Sequence, residues 1–257
     1  MNTTHQNQHE NQQELEFHAA YEHGHYRIDE REVITRLWQT VVVQQPSDQA
    51  LTKGYRWRTT TYATQRIGGD VVLIEHPWLL LADISGHDLT AAMLGSMLVA
   101  ASRLALHHGD VVSTLEHALH HDLERTGRFC TLFAARFTPE GLLEYINLGH
   151  PPALVYRHQT NSFERLEASA PPLGVGRGQR QSPQRTQLMP GDQLIVYSDG
   201  ITEAQHPQMH DCFFGERGLM HAIQGSENLD TTLANIHNAL EPWIVRDDVT
   251  VAVIQRT

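Results

Sequence analysis

The sequence predicts an α+β fold in which antiparallel strands form the body and helices pack outside them. Three observations lead to this prediction. Apolar runs typical of strands outnumber helical patterns, the helical patterns come in adjacent pairs, and strands and helices do not alternate as a Rossmann-type βαβ order requires. The 257 residues suit one domain with a small appendage.

Composition and charge exclude several classes of function. A hydrophobic content of 40% predicts a packed core, and a formal net charge of −11 argues against a nucleic-acid partner. Two cysteines without a CxxC motif are typical of a reducing compartment, so we expect a cytoplasmic protein. The most apolar run, residues 90–106, contains Arg103 and is shorter than a membrane span, so we expect no membrane partner.

The chain divides into three predicted parts. Residues 1–16 are rich in Gln, Asn and His and predict a mobile tail. Residues 17–44 predict a helical extension, because Val33, Ile34 and Leu37 recur at helical spacing before a breaker. Residues 45–257 then form the main domain.

Within that domain, strands and helices follow from periodicity and turn residues. Predicted strands cover residues 55–64, 70–75, 78–83, 130–137, 142–149, 153–158, 185–189, 193–199 and 248–256. Predicted helices cover 88–108, 111–125, 216–224 and 229–240. The pair 70–75 and 78–83 indicates a hairpin with buried strands, and 130–158 indicates an antiparallel meander. One face of the first helix carries mostly small residues, so another helix or a partner is expected to pack closely against it. The residues of this face are Ala91, Leu94, Gly95, Leu98, Ala101 and Ala105.

Acidic residues stand at the ends of four predicted strands. Asp70 opens one strand of the hairpin and Asp83 ends the other, so their carboxylates are expected side by side. Asp199 follows a later strand, and Asp247 and Asp248 open the last one. Crowded carboxylates repel unless a cation neutralises them, and oxygen ligands without His or Cys select Mg²⁺ or Mn²⁺. Two such ions can acidify a shared water and hold a phosphoryl group. Taken singly, each Asp is also a typical turn or cap residue.

The motifs resemble one known family. In order along the chain they are GGD, LLLADISGHDLTAAML, LEYINLGHPPALVYR, PPLGV, PGDQLIVYSDGITEA, FGERGL and RDDVTVAVI. This ordered set resembles the SpoIIE-like branch of the metal-dependent (PPM, type 2C) serine/threonine phosphatases, over residues 45–256. The resemblance implies two packed antiparallel β-sheets flanked by helices on both outer faces. It also implies two Mn²⁺ or Mg²⁺ ions, and hydrolysis of phosphoserine or phosphothreonine by a metal-bridging water without a covalent intermediate.

Site residues follow from the same resemblance. Asp70 and Asp83 are the first two implied ligands, with the carbonyl of Ile84 beside them. Asp199 and Asp247 supply the remaining carboxylates, and Asp248 remains an alternative to Asp247. Asp70, Asp83 and Asp199 carry the implied catalysis.

The interpretation of several other residues is less direct. Arg66 is either a contact for the substrate phosphate or a surface strand residue. Asp88, in a Gly-His-Asp sequence where the family has Gly-Lys-Gly or Gly-His-Gly, is either a helix cap or a metal ligand. His150 is interpreted as a turn residue that supports the sheet. Cys130 and Arg136 match the Cys-x5-Arg pattern of tyrosine phosphatases, but the residues between them predict a buried strand.

Three functions are compatible with these patterns. The first is a protein phosphatase acting on a phosphorylated regulatory protein, which the resemblance implies to be a bacterial partner-switching anti-sigma-factor antagonist. A homodimer or an activating partner would then dock on helix 88–108. The second is a catalytically silent phosphatase fold that acts as an interaction scaffold. The third is a hydrolase of small phosphoesters.

Overall fold

The computed structural model describes residues 51–62, 68–108, 110–176 and 182–257. The predicted tail 1–16, the predicted extension 17–44 and Arg66 lie outside these ranges. Everything below concerns the described part of the chain.

Strands and helices lie close to their predicted positions. The strands are β1 (Tyr55–Tyr62), β2 (Asp70–Glu75), β3 (Trp78–Ile84), β4 (Cys130–Phe137), β5 (Leu142–Leu148), β6 (Ala153–Arg157), β7 (Ser162–Leu166), β8 (Gln184–Gln187), β9 (Gln193–Tyr197) and β10 (Val249–Arg256). The helices are α1 (Leu89–His108), α2 (Val111–Thr126), α3 (Asp199–Thr202), α4 (Gly215–Ile223) and α5 (Leu229–Leu240). Strand β7 and the one-turn helix α3 had no counterpart in the sequence prediction.

The strands form two five-stranded sheets. Sheet I has the order β1-β10-β9-β6-β7, and sheet II has the order β2-β3-β4-β5-β8. Each pairing is antiparallel. The predicted hairpin of β2 and β3 is confirmed at the edge of sheet II.

Three apolar layers hold the sandwich together. The layer between the sheets contains Leu81 and Phe133 of sheet II and Val196 and Ile254 of sheet I. A second layer joins the outer face of sheet II to α1 and α2. The third joins the outer face of sheet I to α4 and α5. Strands with both faces covered explain the nearly continuous apolar runs in the sequence, since each side of the strand meets another layer. The predicted two-sheet architecture with helices on both outer faces is confirmed.

Helix α1 buries the face that was expected to be open for docking. The small residues of that face are buried, with Ala91, Leu98 and Ala105 nearly inaccessible beneath α2 and sheet II. The exposed side of the helix instead carries Leu89, Met93, Met97 and Leu104. By length and composition, Leu89–Leu106 is apolar enough to cross a membrane. Packing against the core explains the apolar residues of the buried face only.

The predicted meander of residues 130–158 is wrong after its second strand. Strands β4 and β5 pair as expected, but β6 leaves sheet II and pairs with β7 and β9 in sheet I. Asn147 stabilises this corner: its amide oxygen accepts from the backbone N–H of His150 at 2.9 Å, and its amide nitrogen donates to the Leu166 carbonyl at 3.1 Å. Strand periodicity determines which residues are buried, but it does not determine which sheet a strand joins.

Candidate metal centre

The two carboxylates of the β2–β3 hairpin lie directly opposite each other. Asp70 and Asp83 are register partners, as the hairpin predicted. Asp70 is only 3% exposed, and its Oδ2 atom is buried without a hydrogen-bond partner. A buried carboxylate oxygen without a partner is costly, so this atom is suited to a cation.

Ser198 brings Asp199, the first residue of α3, to the same edge. The backbone N–H of Ser198 donates to the Thr250 carbonyl, and the N–H of Thr250 donates to Ser198 Oγ, both at 2.9 Å. Ser198 Oγ also donates to the carbonyl of Asp248 at 3.2 Å. These bonds join the end of β9 to the start of β10, so that Asp199 lies beside Asp247 and Asp248.

Gly200 permits this close approach. A side chain at position 200 would overlap the backbone carbonyl of Asp248. The glycine after the aspartate in the SDG motif is therefore required by the contact between α3 and the segment that precedes β10.

Asp247 and Asp248 have different environments. Asp248 is 4% exposed, and its Oδ2 accepts a 2.9 Å hydrogen bond from the backbone N–H of Gly69. Asp247 is exposed, and its Oδ1 accepts from the N–H of Asp248 at 2.8 Å. Asp248 therefore joins the two sheets, whereas the Asp247 side chain lies at the surface.

The pKa values of three of these carboxyls show that the groups act on one another. Burial, followed by repulsion from Asp70, Asp199, Asp247 and Asp248, raises the pKa of Asp83 to about 8. Burial also raises the pKa of Asp70 to about 7, although hydrogen bonds from Thr250 and Ser198 oppose the shift. Burial, followed by repulsion from Glu203 and Asp247, raises the pKa of Asp199 to about 6. A bound cation would reverse these shifts, because it favours the ionised forms.

The donor set fits a hard divalent cation. The residues that meet here offer only oxygen atoms, and among the described side chains no group of three or more His, Cys, Asp or Glu is already gathered around one point. The carboxylates therefore share an edge of the sandwich without closing into a cage. Hard cations such as Mg²⁺ keep several water ligands and need few protein carboxylates, so an open arrangement is suited to them.

Several other predicted positions have structural roles. Asp88 caps α1, because its Oδ1 accepts from the N–H of Ala91 at 3.0 Å. His150 is buried at the β5–β6 corner, where its Nδ1 hydrogen-bonds Thr131 Oγ1 at 2.8 Å, and burial lowers its pKa to about 3. Cys130 is buried in β4, and burial raises the pKa of its thiol far above the ordinary value. A buried, protonated thiol in a strand excludes the tyrosine phosphatase loop.

Sequence reasoning missed the residues that hold the acids in place. Ser198 and Thr250 hydrogen-bond each other and lower the pKa of Asp70, and Arg128 contacts the loop after Asp83. Ser198 and Thr250 lie within the quoted SDG and DDVT motifs, so their positions next to the acids were the available signal. Arg128 lies far from any acid motif in sequence and gave no such signal.

Comparison with known proteins identifies the family. The family model for stage II sporulation protein E (SpoIIE) matches residues 75–257, which is more than half of the chain. The chain belongs to the SpoIIE family. This SpoIIE-family chain is 24% identical over 188 residues to phosphoserine phosphatase RsbU of Bacillus subtilis strain 168, covering 69% of this chain and 55% of RsbU. It spans about half the length of RsbU, and less of the other curated relatives IcfG and RsbP.

Solved structures share the fold. The SiaA-PP2C domain of Pseudomonas aeruginosa superposes with a TM-score of 0.74 at 14% identity, covering 88% of this chain and 96% of that one. The catalytic domain of the serine/threonine phosphatase PstP, solved with two manganese ions, superposes with a TM-score of 0.56 at 18% identity, covering 78% and 97%. The predicted resemblance to the SpoIIE-like branch of the PPM phosphatases is confirmed.

Proposed function

We propose that this SpoIIE-family chain is a metal-dependent protein phosphatase that hydrolyses phosphoserine or phosphothreonine. The observation that carries the proposal is the meeting of Asp70 and Asp83 from sheet II with Asp199 and Asp247, which lie just after β9 and just before β10 of sheet I. Their mutual repulsion and the partnerless Oδ2 atom of Asp70 call for positive charge at this edge.

In this proposal, two Mn²⁺ or Mg²⁺ ions are held by Asp70, Asp83, Asp199, Asp247 and the carbonyl of Ile84. Such ions supply a water of lowered pKa at neutral pH and neutralise the charge of the phosphoryl oxygens. Two manganese ions in the similarly folded PstP domain support this choice. Asp70 and Asp83 would hold the ions from one hairpin, and Asp199 from the start of α3.

Asp247 is the proposed ligand rather than Asp248. The Asp248 carboxylate already accepts a hydrogen bond from Gly69 and is buried between the sheets. Its role is to align the segment on which Asp247 lies. Arg66 is proposed to contact the substrate phosphate, since it precedes Asp70 by four residues on the segment that leads into β2.

The proposed substrate is a phosphorylated regulatory protein. The relative RsbU is named a phosphoserine phosphatase, and the similarly folded PstP domain a serine/threonine protein phosphatase, which together support phosphoserine on a protein. The resemblance further favours an anti-sigma-factor antagonist of a bacterial partner-switching system, in the cytoplasm. A second copy or an activating partner is proposed to dock on the exposed side of α1, around Met93 and Met97.

Hydrolysis of an aryl phosphate by wild type and Asp199→Asn, measured with Mn²⁺, with EDTA and with vanadate, tests the activity. We expect hydrolysis that requires Mn²⁺, resists vanadate and disappears in Asp199→Asn. The matched control is Asp230→Asn, which removes an aspartate that pairs with Arg58 instead. Mn²⁺ binding without turnover of any phosphoserine protein would favour the silent scaffold. Higher catalytic efficiency on small phosphoesters than on phosphoproteins would favour the third function.

A further inference from the structure

Arg128 lies at the junction between α2 and the loop that follows Asp83 and Ile84. Helix α2 ends at Gly127, which has a φ of 65°. The N–H of Gly127 donates to the Glu124 carbonyl at 3.2 Å, and the N–H of Arg128 donates to the Leu123 carbonyl at 2.9 Å. This pair of bonds is a Schellman motif, which defines the direction in which the chain leaves the helix. Arg128 therefore starts from a well-defined backbone position.

The guanidinium of Arg128 contacts the loop 85–88 at three points. Nη1 donates to the carbonyl of Ser85, and Nη2 donates to Asp88 Oδ2 at 2.6 Å. The same guanidinium occupies the space beside Gly86, where any side chain would overlap it. The planar guanidinium group thus contacts both the first and the last residue of the turn between β3 and α1.

Backbone bonds next to Arg128 join the same two segments. The N–H of Ser85 donates to the Phe129 carbonyl at 3.0 Å, and the N–H of Phe129 donates to Ser85 Oγ at 3.1 Å. Arg128 extends this connection outward to Asp88. Asp88 uses its other oxygen to cap α1, so both carboxylate oxygens are engaged.

This loop determines where the Ile84 carbonyl lies. The Ile84 oxygen packs against Gly69, one residue before Asp70, and the N–H of Ile84 donates to the Gly69 carbonyl at 3.2 Å. The Ile84 carbonyl belongs to the peptide that joins Ile84 to Ser85, and the N–H of that peptide is the one held by the Phe129 carbonyl. Arg128 holds the next peptide through the Ser85 carbonyl, so Ser85 is held on both sides and the peptide before it has less freedom to turn.

The contribution of the ion pair to overall stability is small. The side chains of Arg128 and Asp88 are 25% and 53% exposed, and water screens ion pairs this exposed. The three-point geometry therefore matters for orientation more than for folding. A lysine cannot reproduce it, because a single ammonium group lacks the planar fork of donors.

We propose that Arg128 is a positioning residue of the metal centre: clamped by Asp88, it holds the Ser85 carbonyl and so orients the Ile84 carbonyl toward Asp70. The proposal rests on the metal-dependent function proposed above. It assigns to Arg128 no contact with substrate or with the reacting atoms.

The test is Mn²⁺ binding to the full chain by calorimetry, with aryl phosphate hydrolysis and thermal unfolding in EDTA measured in parallel. We expect Arg128→Ala to lower Mn²⁺ affinity by about 10-fold or more, as loss of an outer-shell partner does at other metal sites. The Mn²⁺ concentration for half-maximal activity should rise by a similar factor, while the unfolding temperature in EDTA stays close to that of wild type. Arg128→Lys should be intermediate.

Two further variants supply a control and a second test of the proposal. Arg125→Ala removes an exposed arginine from the last turn of the same helix and should bind Mn²⁺ as wild type does. Asp88→Asn keeps a side-chain acceptor for the α1 cap but removes the charge that holds Arg128, so it should lose affinity in the same direction. If Arg128→Ala does not fold, Asp88→Asn decides the question.

The outcomes separate the two proposals. If wild type binds Mn²⁺ and Arg128→Ala binds it with equal affinity, the role of Arg128 is overturned and the proposed function stands. An affinity loss that merely follows a lower unfolding temperature in EDTA would also overturn it. Wild type that binds no Mn²⁺ would overturn the metal centre itself, and this inference with it.

Discussion

The Asp248 carboxylate accepts a 2.9 Å hydrogen bond from the backbone N–H of Gly69, a residue 179 positions away in sequence. This bond joins the start of β10 in sheet I to the start of β2 in sheet II. It brings the two sheets together at the edge where the four proposed ligands meet, and it distinguishes Asp248 from its neighbour Asp247.

Substitution of Asp248 should therefore affect mainly stability, and substitution of Asp247 mainly metal binding. Asp248→Ala should lower the free energy of unfolding by about 1–3 kcal/mol, because a buried N–H loses its acceptor. Asp247→Ala should abolish Mn²⁺ binding and leave the stability of the metal-free protein unchanged or slightly higher, since it removes a repelling charge. Urea unfolding in EDTA and Mn²⁺ calorimetry measure the two effects. The reverse pattern would make Asp248 the ligand.

Gly200→Ala tests the close approach of α3 to the segment before β10. The new methyl group would overlap the Asp248 carbonyl, and a backbone atom in the core cannot move away as a flexible side chain can. We expect a loss on the order of 2–4 kcal/mol in the free energy of unfolding. Gly225→Ala is the matched control: its φ is 80°, but the space beside it is open, so only about 1 kcal/mol of backbone strain is expected. Equal losses in both variants would show that the contact is unimportant.

The carboxyl cluster should make the metal-free protein less stable as the pH rises. The folded-state pKa values of about 6 to about 8 at Asp199, Asp70 and Asp83 lie above the ordinary value of 3.8. Between these limits the folded protein binds more protons than the unfolded chain, so stability falls with rising pH. Thermal unfolding in EDTA from pH 5 to pH 8.5 measures the slope, and Asp83→Asn should reduce it.

Metal binding should show the opposite dependence on pH. Because the ligands must ionise, Mn²⁺ affinity should rise from pH 6 to pH 8, and binding at pH 7 should release protons. Calorimetry in two buffers of different ionisation enthalpy counts those protons. A count of zero at pH 7 would contradict the raised pKa values.

His150 should make its own contribution on the acid side. Burial lowers its pKa from 6.5 to about 3, so the folded protein keeps this imidazole neutral while the unfolded chain protonates it. Its contribution to stability is present above pH 6.5 and is lost as the pH falls toward 3. In His150→Gln that loss should disappear, as measured by urea unfolding between pH 4 and pH 7. An unchanged acid dependence would show that other groups cause it.

Helix α1 offers a test of the proposed partner surface. Met93 is 60% exposed, so Met93→Asp should leave the unfolding temperature nearly unchanged while weakening self-association or activation. Gly95 is buried, so Gly95→Leu should destabilise the fold by about 1–3 kcal/mol through overpacking. Sedimentation and unfolding measurements separate the two effects. If Met93→Asp associates and is activated as wild type is, this side of α1 is excluded as the partner surface.

Local sequence patterns were sufficient to predict much of the fold and part of the candidate metal centre. The hairpin prediction placed Asp70 opposite Asp83, and the register confirms it, because a tight turn leaves little freedom in pairing. Most helices and strands end within a few residues of their predicted limits, since capping and turn residues act locally. The roles of the individual ligands remain predictions.

By itself, the sequence determined the strands, the helices, the hairpin and the positions of acids at strand ends, since each depends on neighbours along the chain. Only the tertiary structure decided that β6 crosses to sheet I, that the small face of α1 is buried, and that Asp248 joins the sheets while Asp247 faces outward. It also placed Arg128 against Ser85, 43 residues away. The physical reason is that a side-chain period of two or 3.6 specifies which face is buried, whereas packing between distant segments decides what that face meets.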